Sequence, residues 1–211
     1  MEPFNNCRFC NIVVGKYQYA EIDQPFASSD AFVAMASIGA LIEGWSLIIP
    51  KEHQLSMRNV YDKPEFADFV GTVISLLVKQ YGSLIAFEHG SNKEGSITAC
   101  GTDHAHLHLV PYCESLFSDL QSSGLRWVQC QASEIASRVG NSEYLFYSEL
   151  GVKKVWHDPV GYFHVLEHPK SQFFRHLIAA RTGHAETSDY RRFLYLDAAR
   201  QTRRTLVEST V

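Results

Sequence analysis

Three histidines at alternate positions, His104, His106 and His108, stand in the run Asp103-His104-Ala105-His106-Leu107-His108-Leu109-Val110-Pro111. Alternate side chains of an extended strand share a face. The spacing therefore predicts three imidazoles on one surface and Ala105, Leu107 and Leu109 packed on the other. A cluster of this kind is costly to bury unless it binds a metal, forms hydrogen bonds or does chemistry. Two chemistries are open. A partly neutral imidazole can act as a nucleophile without a separate base. Alternatively, a face-sharing triplet can ligate zinc or iron with an open coordination position, with Glu88 or Asp103 as a nearby carboxylate. The polar stretch 89–102 before the histidines carries Gly90, Gly95 and Gly101 and reads as a loop. It can offer backbone amides at Gly101 and Thr102 and hydroxyls at Ser96 and Thr98 to a bound group. Glu88 and His89 flank this loop. Near the start, Cys7 and Cys10 have the spacing of a metal-ligand pair, and a closed tetrahedral site needs two more donors. Cys100, Cys113 and Cys130 lack such spacing.

These residues need a frame. The stretches 32–36 and 46–50 read as short apolar strands joined by a loop over 37–44. Apolar residues at Phe66, Phe69, Val70, Val73, Ile74, Leu77 and Val78 recur at helical spacing, which predicts a helix over 63–81 stopped by Gly82. Strands are expected over 84–88 and 104–110. Beyond Pro111 come a mixed connection over 113–131 with a short helix from Leu116, and then a helix over 132–139. Three strands follow over 144–149, 153–156 and 162–166, punctuated by Gly151 and by Asp158-Pro159-Val160-Gly161. Ser171 is a suitable N-cap for a helix through Arg181, with Gly183 beyond its end. Gln172 and Arg175 share a face at the start of that helix, where both could meet a phosphate beside the backbone amides. The arginine-bearing tail from Tyr190 reads as one more helix. This order of elements predicts an α+β fold.

The chain has 211 residues, 45% of them hydrophobic and 20% charged, which suits a folded protein and argues against a disordered one. With 19 basic and 23 acidic residues it lacks the basic excess of a duplex nucleic-acid binder. No apolar run reaches membrane-spanning length. The opening MEPFNNCRFC has neither a basic nor an apolar signal region. The expectation is a cytoplasmic protein with reduced thiols and no membrane partner.

The triple histidine followed by two apolar residues, with Leu47-Ile48-Ile49-Pro50-Lys51-Glu52-His53 upstream, resembles the signature of the histidine triad (HIT) family. Cys7-x-x-Cys10 is similar to its zinc-containing bacterial members, and the resemblance covers residues 4–112. Phe87-Glu88-His89-Gly90, Gly101-Thr102-Asp103-His104, Ser171-Gln172-Phe173-Phe174-Arg175 and the loop 37–44 resemble a bacterial subgroup with a longer C-terminal region. The resemblance implies a HIT-like antiparallel sheet with flanking helices, extended by a C-terminal α/β region. Residues 1–112 would form the catalytic domain, and 113–211 an extension packed on it that helps to complete the site. It also implies a nucleotide hydrolase or nucleotidyl transferase acting on a small nucleotide-like substrate, with His106 as nucleophile and His108 orienting it or touching the phosphate. The group that Gly101, Thr102, Ser96 and Thr98 could hold would then be that phosphate. A structural zinc would be held by Cys7, Cys10, His53 and His104, and a homodimer is possible. The alternatives are the open metal site at His104, His106 and His108 described above, and a nucleotide-binding module without turnover. Two positions depart from the family pattern. Ser37 stands where many members carry an aspartate for the ribose hydroxyls, and Trp45 stands where a histidine is commoner.

Overall fold

The structure is a computed structural model that describes residues 7–99 and 102–209. Eight strands form one antiparallel sheet: β1 (Ala27–Ser28), β2 (Phe32–Ala36), β3 (Ser46–Pro50), β4 (Leu84–Gly90), β5 (Leu107–Pro111), β6 (Val128–Gln131), β7 (Tyr144–Gly151) and β8 (Val160–Val165). Their spatial order is β1-β2-β3-β5-β4-β7-β8-β6, and every neighbouring pair is antiparallel. The sheet with its flanking helices is an α+β arrangement. The three strands after residue 112 are joined to the rest through the β4–β7 ladder.

Both faces of the sheet are covered. This explains why β2, β3 and β4 are mostly apolar and buried at every position. On one face lies α2 (Pro64–Tyr81), whose Phe66, Val70, Val73, Ile74 and Leu77 pack on Ala34, Ile48, Ala86, Leu107 and Leu109. Its end is set by Gly82 at φ 83°, a conformation that a Cβ disfavours. The other face is divided between two helices. The short α1 (Arg8–Val13) covers Val33, Met35, Leu47 and Ile49 with Phe9 and Ile12. The helix α5 (Phe173–Arg181) covers Ile85, Phe87, Leu145 and Tyr147 with Phe173, Phe174 and Ile178. A gap remains between α1 and α5, over the middle of the sheet. The remaining helices are α3 (Phe117–Ser122), α4 (Ile135–Val139) and α6 (Leu196–Glu208). Among the described residues no helix is long and apolar enough to cross a membrane.

Several local expectations need correction. The strand expected over 104–110 enters the ladder only at Leu107, so His104 and His106 lie on the irregular approach to β5. Residues 153–156 are not a strand. Trp156 instead folds back onto Tyr61 and Phe66, with ring centroids 5.8 and 5.3 Å away. A strand not foreseen, β6, forms the far edge on β8. The N-cap of α5 is Gln172, in the left-handed region at φ 55°, and not Ser171. The last helix starts at Leu196 rather than near Tyr190.

Candidate functional site: an imidazole-lined cavity beside a Cys/His cluster

The gap between α1 and α5 is a cavity of about 370 Å³. Its floor is a cross-strand row in which Leu47 pairs with His108, and His108 with Phe87. Its walls include Arg8 and Phe9 from α1 and Gln172 and Arg175 from α5. Tyr190, Arg191 and Leu194, from the segment between α5 and α6, close it further. The C-terminal region thus forms part of the cavity that the histidines line.

The three histidines do not share one surface. His106 and His108 face the cavity, with ring centroids 4.8 Å apart. His104 is 1% exposed and points toward the N-terminus, with its Nδ1 3.3 Å from Cys7 Sγ and 3.5 Å from Cys10 Sγ. The divergence arises because the chain is not yet in regular strand geometry at His104 and His106. The triplet is therefore not arranged as an open metal site.

Each ring's tautomer follows from its partner. A carbonyl only accepts, so His106 Nδ1, 2.8 Å from the His104 carbonyl, carries the proton. The lone pair of His106 is then on Nε2. His104 Nε2 donates to the Pro50 carbonyl at 2.8 Å, which leaves its Nδ1 lone pair toward the two thiols. Trp45 Nε1 donates to His108 Nδ1 at 2.9 Å, so the His108 proton is on Nε2. Burial favours the neutral form at all three histidines. It lowers the His104 imidazole to about 4 and holds His106 below the ordinary histidine value. His108 is held well below that value by burial, then by repulsion from His106, His89 and Arg175.

Cys7, Cys10, His53 and His104 form the one group of potential metal donors among the described residues, with all four donor atoms within 4.8 Å of one another. His53 Nδ1 lies 3.3 Å from Cys10 Sγ. The turn is local in origin, because Cys7 caps α1 and its Sγ accepts from Cys10 N. Burial, then the neighbouring Cys7, pushes the Cys10 thiol up to about 12. Two thiols and two imidazoles gathered in this way suit a tetrahedral ion such as zinc, which would stabilise the thiolate. Phe9 separates this cluster from the cavity, its ring meeting His104 edge-on at 5.8 Å and His106 at 5.3 Å.

The candidate phosphate ligands divide. Thr102 lines the cavity, and Gly101 lies outside the described residues. Ser96 and Thr98 do not line it. The Ser96 hydroxyl accepts from Thr98 N at 3.1 Å, and the buried Thr98 hydroxyl donates to Glu143 at 2.7 Å. Their role is to brace the loop. Gln172 and Arg175 reach the cavity wall, though Gln172 is engaged at both ends, donating to Asp189 at 3.1 Å and accepting from Tyr190 N at 3.0 Å. Arg175 lies over the Trp45 ring at 5.7 Å, and its Nε donates to the Ser188 carbonyl. The start of α5 is not an open anion site as expected, because Phe173 N donates to His89 Nε2 at 3.1 Å. Burial lowers that imidazole to about 3. Glu88 is buried below the loop, accepting from Met57 N at 2.6 Å, Tyr61 at 2.6 Å and Tyr144 at 2.5 Å. It is structural.

Sequence reasoning missed Arg8, Phe9, Tyr190, Arg191 and Leu194, which reach the cavity only through tertiary packing. Arg8 is held there by Asp23, a buried carboxylate that also accepts from Gln18 N and Tyr19 N at 2.8 Å each. Ser37 does line the cavity, with its hydroxyl donating to the Ile38 carbonyl at 3.1 Å.

An antiparallel sheet sets two imidazoles in a basic cavity, next to a Cys2His2 cluster, an arrangement that could receive an anionic small molecule. Comparison with known proteins is more specific. The chain is 30% identical over 115 residues to an uncharacterized HIT-like protein of Mycoplasma genitalium, covering 53% of this chain and 76% of that protein. It is 30% identical over 108 residues to the adenosine 5'-monophosphoramidase hnt1 of Schizosaccharomyces pombe, covering 50% of this chain and 74% of that one. The chain belongs to the histidine triad family. No family model matches it. Among solved structures it is similar to SMU.412c of Streptococcus mutans, with 24% identity and TM-score 0.40 over 58% of this chain and 84% of that one. A HIT family protein of Bacillus anthracis shows 22% identity and TM-score 0.39 over 64% of this chain and 98% of that one.

Proposed function

We propose that the protein is a nucleotide hydrolase or nucleotidyl transferase that cleaves a phosphoanhydride or related phosphorus bond through a covalent adduct on His106. The observation that carries this reading is the hydrogen bond from His106 Nδ1 to the His104 carbonyl, which fixes the ring and leaves its Nε2 lone pair in a basic cavity. In the first step that lone pair forms an N–P bond while the bond to the leaving group breaks with its electron pair. In the second, water or another acceptor displaces His106. Two easier displacements then replace one difficult one. In this reading His108 Nε2–H and Thr102, which line the cavity, donate to phosphoryl oxygens as charge develops on them. The name of the Schizosaccharomyces pombe relative, an adenosine 5'-monophosphoramidase, supports a nucleotide-like substrate.

Cys7, Cys10, His53 and His104 would hold a structural zinc ion. All four positions come from the protein, so the ion's part would be to tie α1 to the approach of β5. It would thereby position Phe9 and Arg8 at the cavity. A panel of nucleotide-like substrates assayed with wild-type protein and His106→Asn tests the reading. The expected result is cleavage of at least one substrate by wild type and a loss of several orders of magnitude in the variant, which retains its fold. Near-normal turnover by the variant overturns it.

A further inference from the structure

We propose that Trp45 locks His108 as a neutral Nε2–H donor and so confines the reaction to leaving groups that depart as stable oxyanions rather than amines. This inference rests on the His106 reading above and specifies its substrate class.

The indole N–H of tryptophan donates and never accepts. At 2.9 Å from His108 Nδ1 it requires a lone pair there. Protonating Nδ1 would set two N–H groups head to head in a buried place. Neither ring can swing away. Trp45 is 1% exposed and meets Phe87 edge-on at 5.6 Å, while its carbonyl accepts from Ser37 N at 3.0 Å. His108 is stacked on Phe87 at 4.5 Å, with 19° between the planes. The Arg175 guanidinium over the indole adds a positive charge that also disfavours an imidazolium at His108. An imidazole at position 45 would act differently, since it could accept the second proton of a cationic His108.

A neutral imidazole N–H can stabilise a phosphoryl oxygen but does not release a proton near neutral pH. The other cavity histidines offer no substitute. His106 is the nucleophile, and His89 Nε2 is taken by Phe173 N. No carboxylate lines the cavity among the described residues. The remaining polar lining groups are hydroxyls, amides and the guanidiniums of Arg8, Arg175 and Arg191. The electron balance then selects the substrate. When His106 Nε2 attacks a phosphoanhydride, the P–O bond breaks and its electron pair leaves on an oxygen that is stable as an anion. The basic cavity favours that anion, and no proton is needed. When it attacks a phosphoramidate, the pair would leave on nitrogen as an amide ion unless an acid supplies a proton, and the site holds no carboxyl group or cationic imidazole to do so, only the phenols of Tyr19 and Tyr190.

The test uses the full chain prepared with zinc supplied, and two probes that differ in the leaving group, adenosine 5'-diphosphate and adenosine 5'-phosphoramidate. General-acid assistance is worth about 100-fold or more. Wild type should therefore favour the anhydride in kcat/KM by at least about that factor, and Trp45→His should narrow the ratio about tenfold or more. Nitrogen-15 NMR of the wild type provides a readout that does not depend on the variant's folding. His108 should show a proton on Nε2 and a hydrogen-bonded lone pair on Nδ1, unchanged into mildly acidic solution. Equal turnover of the two probes with a His106 adduct present, or a proton on His108 Nδ1, overturns this proposal alone. Failure to form any His106 adduct with either probe overturns the His106 reading, and this inference with it.

Discussion

His104→Ala should separate a structural histidine from the proposed nucleophile two residues away. The ring is buried at 1% exposure, and its Nε2 holds the Pro50 carbonyl at 2.8 Å. Its Nδ1 faces both cysteines, and it packs edge-on against His53 with centroids 5.0 Å apart. Truncation leaves a buried carbonyl without its donor, a loss of about 1–3 kcal/mol, and opens a cavity where large-to-small changes cost about 2–5 kcal/mol. Because the two effects overlap, a net loss of about 3–5 kcal/mol is expected before the metal is counted. A domain of this size loses about 2–4 °C of Tm per kcal/mol, so the transition should fall by about 6–20 °C. The assay is scanning calorimetry paired with elemental analysis. Wild type should carry one metal per chain and lose stability on chelation, whereas His104→Ala should be metal-poor and insensitive to chelator. His106→Ala should keep its metal and lose less Tm than His104→Ala, because it removes one hydrogen bond to the His104 carbonyl but no proposed metal ligand. The reasoning is refuted if His104→Ala retains its metal and melts with wild type, or if His106→Ala loses the metal as well.

Arg175→Ala should raise KM about tenfold or more with a smaller change in kcat, the size of one charge-assisted contact. A drop in Tm with unchanged kinetics would instead make Arg175 purely structural. Gly90→Ala should destabilise by about 1–3 kcal/mol or more, because an added Cβ would sit 2.1 Å from Tyr144 Cε1, on the ring whose hydroxyl holds Glu88. Urea unfolding should show a lower midpoint at unchanged slope, and an unchanged midpoint would contradict the packing described. His89, lowered to about 3 by burial, makes stability depend on pH in a definite direction. The unfolded chain binds the proton more readily, so the His89 contribution is full above about pH 6.5 and is lost as pH falls toward 3. Urea titrations of wild type and His89→Gln should diverge at neutral pH and converge in acid, and parallel curves would show that His89 contributes no such linkage.

Periodicity made the central frame legible. The alternation and apolar runs of β2, β3, β4 and α2 are strong because these elements are packed on both sides or along one full stripe. The edge was not legible. In β6 only Cys130 turns inward, so its four residues carry no alternation that marks a strand. Residues 153–156 have the composition of a strand, yet Trp156 gains more by stacking on Tyr61. The histidine run was read as one strand face because the residues alternate. Register alone could not show that the ladder begins at Leu107, nor that His104 turns to the thiols. Cys7, Cys10, His104, His106 and His108 were legible as chemistry-bearing residues from type and spacing, and His53 only through the family resemblance. Arg8, Tyr190 and Arg191 were not, because a lone arginine or tyrosine on a polar segment carries no signal until packing brings it to the cavity. The same holds for Thr98, whose hydroxyl is directed to Glu143, far away in sequence, while the Ser96 hydroxyl is taken by the nearby Thr98 N.

Covalent chemistry at His106 is the centre of this account, and one measurement addresses it most directly. Wild-type protein mixed with a cleavable nucleotide substrate, quenched within the first turnover and digested, should yield the peptide containing His106 with a nucleotidyl group on that residue's imidazole. The adduct should form and decay at rates consistent with turnover, and His106→Ala should give none. Turnover by the wild type with no adduct on any histidine, or with the adduct on His108 or His104, would contradict the account.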